Sequence, residues 1–98
     1  MCRAYTEEEV RTQLLDHFRE LIRYWHGIDE KSCLERMNGL IFSVLVTFDG
    51  GSADLPAFDI SPSCEEDDKK YYQEIGSNWY EPKVINECQL HEMWHDEE

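Results

Sequence analysis

Two apolar stripes at helical spacing fill the first half of this chain, and they favour a framework of paired helices. Val10, Leu14, Leu15, Phe18, Leu21, Ile22 and Trp25 recur at three- and four-residue steps, which is the period of one helix face. Thr6-Glu7-Glu8-Glu9 stands just ahead of them. It has the form of a capping box, in which the Thr6 hydroxyl accepts an orphan backbone N–H and Glu9 reaches back to the N-cap N–H. Acids in the first turn also suit the positive end of the helix dipole. The spacing predicts a helix over 7–26, with Gly27 placed to end it in the left-handed conformation.

Leu34, Met37, Leu40, Ile41, Val44, Leu45 and Phe48 form the second stripe. They predict a helix over about 30–48, capped by Asp29 or Ser32 and stopped by Asp49-Gly50-Gly51. Packed antiparallel to the first across a short loop, it makes an αα-hairpin. The competing reading is a buried strand from Leu40 to Phe48, because Ile41–Phe48 is rich in β-branched and aromatic residues. Gly39 adds weight to that alternative, since it costs a helix roughly 1 kcal/mol. Leu40-Ile41-Phe42 does not alternate, however, and this favours the helix.

Beyond Asp49 the texture changes. Gly50, Gly51, Pro56, Pro62 and several serines punctuate the chain. Ala57-Phe58-Asp59-Ile60-Ser61 alternates loosely and predicts a short strand, held to an edge by the flanking prolines. A short helix over 65–75 is expected next, with Ser63 as N-cap, Gly76 as stop and Tyr71, Tyr72 and Ile75 as packing face. Trp79–Val84 reads as a turn and a second short strand. Asn86 can cap a last helix over about 87–95, carrying Leu90, Met93 and Trp94. The expected class is α+β and mainly helical: one domain over 1–98, an antiparallel αα-hairpin core, a short two-stranded element and two short helices.

Charge is the best guide to partners. Residues 1–53 carry six Lys/Arg and nine Asp/Glu, a balance of −3, whereas residues 54–98 carry three Lys and thirteen Asp/Glu, a balance of −10. This argues against nucleic acid and anionic membrane as ligands and favours a basic protein surface. Glu65, Glu66, Asp67, Asp68 and Glu74 are the candidate contact acids, with Trp79 and Tyr80 as aromatic anchors of the kind enriched at interfaces. A structured DNA mimic is one form of such a protein; the plainer alternative is that the charge only confers solubility. The remaining aromatics are expected in the core. A homo-oligomer, in which the exposed helix stripe pairs with itself, is a further reading.

No apolar leader segment is visible at Met1–Tyr5, and no stretch approaches the ~20 apolar residues that span a bilayer. A cytoplasmic location is the expectation. Cys2, Cys33, Cys64 and Cys88 form no dense framework, and free buried thiols are expected.

Catalytic signatures are scarce, and no enzyme activity is expected. Cys88-x2-His91-x3-His95 would bring three zinc-type ligands to one face of a helix, and zinc is the one cofactor this pattern suggests. His91-Glu92-Met93-Trp94-His95 also meets the letters of the metalloprotease pattern, in which Glu92 would act as general base on a bound water. The motif lies three residues from the end of the sequence on a helix too short to line a cleft, which counts against catalysis. Histidines paired with neighbouring glutamates need no metal. Asp49-Gly50-Gly51-Ser52 could approach a phosphate, but it follows a helix C-terminus, where the dipole is negative.

Gly39–Ser52 with Leu55-Pro56-Ala57-Phe58 resembles a stretch found in small bacterial proteins without an established activity, many of them phage- or prophage-borne. The resemblance extends to Asp67-Asp68-Lys69-x-Tyr71 and Leu90-His91-Glu92-Met93. It implies a bacterial cytoplasm and a mobile genetic element, and it carries no catalytic residue or cofactor. By analogy, small acidic proteins of such elements bind and block host proteins.

Overall fold

A computed structural model describes residues 2–94. Helix α1 runs Glu7–His26 and α2 runs Cys33–Phe48. Both begin at capping boxes, Thr6 with Glu9 and Ser32 with Glu35. Ser32, rather than Asp29, therefore caps the second helix, which begins at Cys33, about three residues later than the expected start near 30. Gly27 does end α1, but with φ −79° it does so without the left-handed conformation.

The two helices form the expected antiparallel hairpin, and residues 40–48 are helical, not a strand. His17 meets Thr47 near one end, with Nε2 2.9 Å from Oγ1. The Thr47 hydroxyl itself donates to the Ser43 carbonyl, so the imidazole N–H is the donor in that pair. Nearer the interhelical loop, the Trp25 indole N–H donates to Ser43 Oγ at 2.9 Å, and the Arg36 guanidinium donates to the His26 carbonyl. Gly39 has its reason here. A Cβ at this position would collide with the Trp25 ring, which lies against the bare α2 backbone. The helix-propensity cost of this glycine is offset by close indole packing.

Asp49 caps the C-terminus of α2, and Gly50 follows at φ 91°, a conformation that L side chains rarely adopt. The chain turns back so that the Phe58 N–H donates to the Phe48 carbonyl. Phe18, Phe48 and Phe58 then stack edge to face in series, at centroid distances of 5.8 and 6.2 Å.

The two-stranded element is not present, and the α+β class is replaced by an all-helical one: among the described residues there is no strand. Residues 57–61 and 84–86 do approach one another, with the Ile85 N–H donating to the Ile60 carbonyl at 2.8 Å. The return bond of a ladder is missing. The Ile60 N–H goes instead to the Asn86 side-chain Oδ1 at 2.9 Å. Pro56, Pro62 and Pro82 remove three further donors that a ladder would need.

Helix α3 spans Glu66–Glu74, with Glu65 rather than Ser63 at its N-cap. Helix α4 is only Leu90–Met93. The longer helix expected over 87–95 does not form across its first residues. Gln89 sits at φ 60°, which breaks the helical path, and Asn86 is drawn into the interior instead of capping.

The result is a flat molecule, 52 × 51 × 20 Å, with a radius of gyration of 17.5 Å; a compact chain of this length gives about 13 Å. α2 packs on both α1 and α4, whereas α3 packs on no other described helix. Leu55 is the one buried apolar side chain among the described residues, alongside the buried polar Thr47 and Asn86. The aromatics expected in the core are at most half-buried. The cysteines are free, but Cys2, Cys33 and Cys88 are exposed and Cys64 is half-buried, so none is a buried thiol.

Candidate functional site

The acidic candidates cluster on and around α3. Glu66, Asp67 and Asp68 form its first turn, where the helix dipole favours negative charge. The Asp68 carboxylate accepts the Glu65 N–H at 3.1 Å and so ties down the start of the helix. Glu65, Glu66, Asp67, Asp68 and Glu74 are all exposed. Tyr71 and Ile75, expected to pack, also face solvent, and only Tyr72 of that trio is half-buried.

Trp79 and Tyr80 lie on the same arm. Lys69 Nζ stands 5.2 Å from the centroid of the Trp79 ring. The Trp79 indole N–H donates to Glu81 Oε1 at 3.0 Å, and Lys69 lies 3.9 Å from that same oxygen. Lys69, Trp79 and Glu81 thus form a closed triad that folds the 79–81 segment onto α3. One consequence is electrostatic: the Lys69 charge is engaged within the arm, while the acids point outward. Tyr80 is 67% exposed. With Ser63, Cys64, Asp68 and Tyr72, the lysine and the two aromatics surround a notch of about 160 Å³. The structure therefore brings the seven acidic and aromatic candidates onto one arm.

A second polar constellation lies at the end of α2, and the sequence reading missed its centre. The Asp49 side chain has no exposed surface. Its Oδ2 accepts both the His91 backbone N–H at 2.9 Å and the His91 ring Nδ1–H at 2.7 Å. Burial pushes the Asp49 carboxyl up, but the His91 backbone and ring, the Asn86 amide and the Leu90 N–H together hold it below its ordinary value. Asp49 Oδ1 is buried with no hydrogen-bond partner among the described residues. The His91 ring packs edge-on against Phe42 at 5.8 Å. Asn86 completes the node: its amide donates to the Phe58 carbonyl at 2.7 Å and more weakly to that of Phe48 at 3.4 Å, while its Oδ1 accepts the Ile60 N–H.

This node joins three distant segments through two side chains. Asp49 holds α4 against the C-terminus of α2, and Asn86 holds the 58–60 segment beside it. A signal for Asp49 was present in the sequence. A carboxylate at the negative end of a helix is unfavourable unless donors from elsewhere satisfy it, and here the start of α4 supplies them.

Of the metal-type candidates, Cys88 lies outside the helix that carries His91. Cys88 precedes the break at Gln89, and its Sγ lies 3.7 Å from the Ile85 carbonyl and 3.5 Å from Met93 Sδ. His91 is turned to Asp49. His95 lies outside the described residues. Among the described residues no group of three His, Cys, Asp or Glu side chains is placed to hold a metal ion. No described helix is long and apolar enough to cross a membrane.

Comparison with known proteins finds no matching family model, no matching curated protein and no matching solved structure.

Proposed function

We propose that this chain is a non-enzymatic binding protein whose α3 arm docks on a basic surface of another protein. The observation that carries the reading is the construction of the arm. It projects from the hairpin without packing on another described helix, its acids are exposed, and its one inward lysine is engaged by Trp79 and Glu81. Charge steers such an encounter and aromatics anchor it. Glu65, Glu66, Asp67 and Glu74 supply the field. Tyr80, with the exposed edge of Trp79, supplies the anchor, and Asp68 holds the helix start. The resemblance to phage-borne proteins makes a bacterial host protein the natural partner to seek, in the cytoplasm.

The test is capture of partners from bacterial lysate by immobilised protein, with the captured partner then titrated in salt. Affinity should fall steeply as ionic strength rises, because exposed charges are screened over about 8 Å at physiological salt. Reversing Glu66, Asp67 and Glu74 to Lys should abolish capture while leaving α1 and α2 intact, and the neutral variant Glu66→Gln, Asp67→Asn, Glu74→Gln should weaken capture with α3 retained. Salt-insensitive binding, or binding that survives the reversal, removes the acidic arm as the docking element.

A further inference from the structure

The hairpin is left open on one side. Leu15 and Ile22 lie two turns apart on α1, and Leu34, Met37 and Ile41 follow one stripe of α2; all five are exposed. Ile22 and Met37 flank a common groove with Trp25, Cys33 and Leu40, with His26 and Arg36 also in its lining, so the two apolar stripes meet across it. The rest of the chain does not return over it. α4 reaches α2 from around the helix, at Phe42 and Asp49. Leu55 and Pro56 sit by Val10 and His17, away from the Leu15–Ile22 edge.

The exposed area is far above what a finished monomer shows. The chain presents 8137 Å², whereas a compact monomer of its 11.7 kDa presents roughly 5,900 Å². The excess of roughly 2,200 Å² per chain, part of which is the surface of the outlying α3 arm, exceeds the ~800 Å² per partner of a standard interface. One buried apolar side chain cannot offset the conformational entropy of ordering some ninety residues, at about 1–2 kcal/mol each for the backbone alone.

Charge selects the occupant. The half that contains the hairpin carries −3 and the other half −10. A second copy can therefore meet this face without bringing the acidic arms together, whereas contact through the C-terminal half would set −10 against −10. We infer that two copies pair through Leu15, Ile22, Leu34, Met37 and Ile41 about a two-fold axis, so that two αα-hairpins close into a four-helix bundle. In such an isologous contact the same patch serves both subunits, and bundles of this kind bury facing stripes of two hairpins. The pairing does not depend on what the α3 arm binds, and it displays two arms on one particle.

The test is the native mass of the full chain by light scattering from about 1 to 100 μM, together with melting at each concentration. A mass twice that of the chain and a melting temperature that rises with concentration are expected, because association adds to the apparent stability by mass action. A monomer throughout, or a melting temperature independent of concentration, overturns the inference. A mass that grows past two copies overturns the closed two-fold form. Ile22→Glu with Met37→Glu should halve the mass or abolish folding, and a variant that remains dimeric places the interface elsewhere. Glu66→Lys with Asp67→Lys, on the outer arm, should leave the dimer intact.

Discussion

His91 donates twice to a single oxygen of Asp49, from its backbone N–H at 2.9 Å and from its ring at 2.7 Å, across 42 positions of sequence. No other described contact joins α4 to the hairpin with comparable geometry. Replacing Asp49 with Asn keeps the shape but removes the charge that both donors meet. A hydrogen bond to a charged group contributes about 1.5–3 kcal/mol, so Asp49→Asn should destabilise the fold by about 2 kcal/mol. Hydrogen exchange should show the loss first in residues 90–93, with α1 last to open.

The same carboxylate sets a dependence on acid. Asp49 is held below its ordinary value of 3.8, so the folded state keeps it ionised at a pH where the unfolded chain has begun to take up a proton. Its contribution is complete above that ordinary value and is lost as pH falls through the lower, folded one. Acid titration followed by circular dichroism should find the wild type losing stability faster than Asp49→Asn below pH 4.

Gly39 and Trp25 make the sharpest steric prediction. A methyl group at 39 has no room against the indole ring, although alanine is the better helix former. Overpacking typically costs about 1–3 kcal/mol, so Gly39→Ala should destabilise despite its propensity. The displaced ring should also lose its bond to Ser43, which would shift Trp25 emission to longer wavelength.

These positions show how far the sequence could be read. The two long helices were legible because Thr6/Glu9 and Ser32/Glu35 are local signals, and the stripes behind them are long. Gly39 was misread as weakness, since its partner lies fourteen residues away on another helix. The strand expected at 57–61 followed a true alternation, but pairing is not local: Asn86 intercepts the Ile60 N–H, and no ladder forms. The last helix starts later than expected, at Leu90, for the same reason. Asn86 looks like a cap in the sequence and is a buried bridge in the fold. Of the sites, the α3 arm was legible from charge, while the Asp49 node depended on contacts from forty residues away.

The first turn of α1 carries a second pH signature. The Arg3 guanidinium and then the Thr6 backbone N–H hold Glu9 down to about 2, from an ordinary 4.5. Its support for the helix is therefore full above pH 4.5 and declines as pH falls toward 2. Thr6→Ala should cost about 1 kcal/mol at neutral pH by leaving the Glu9 N–H without its cap. Melting curves of the variant across pH 2–7 should show the deficit, with fraying confined to the start of α1.

Asn86 bridges by three hydrogen bonds from a buried position. Asn86→Ala leaves the Ile60 N–H and the Phe58 carbonyl unpaired inside the fold, and each such orphan costs about 1–3 kcal/mol. A loss of about 3 kcal/mol is expected, larger than that of Asp49→Asn. Denaturant titration of the two variants side by side gives the order, and the reverse order would make Asp49 the principal tie.

The integrity of the α3 arm rests on Trp79. A nine-residue helix is marginal by itself in water, and α3 has no helix neighbour to support it. Its brace is the stack of Trp79 under Lys69 and the shared Glu81 oxygen. An exposed cation–π pair contributes about 0.5–1 kcal/mol, so Trp79→Ala should barely change global melting yet speed amide exchange within 66–74. Trp79→Phe keeps the ring face for Lys69 and removes only the indole N–H. It should restore most of the protection, and partner capture should follow the same order if the ordered arm is what binds.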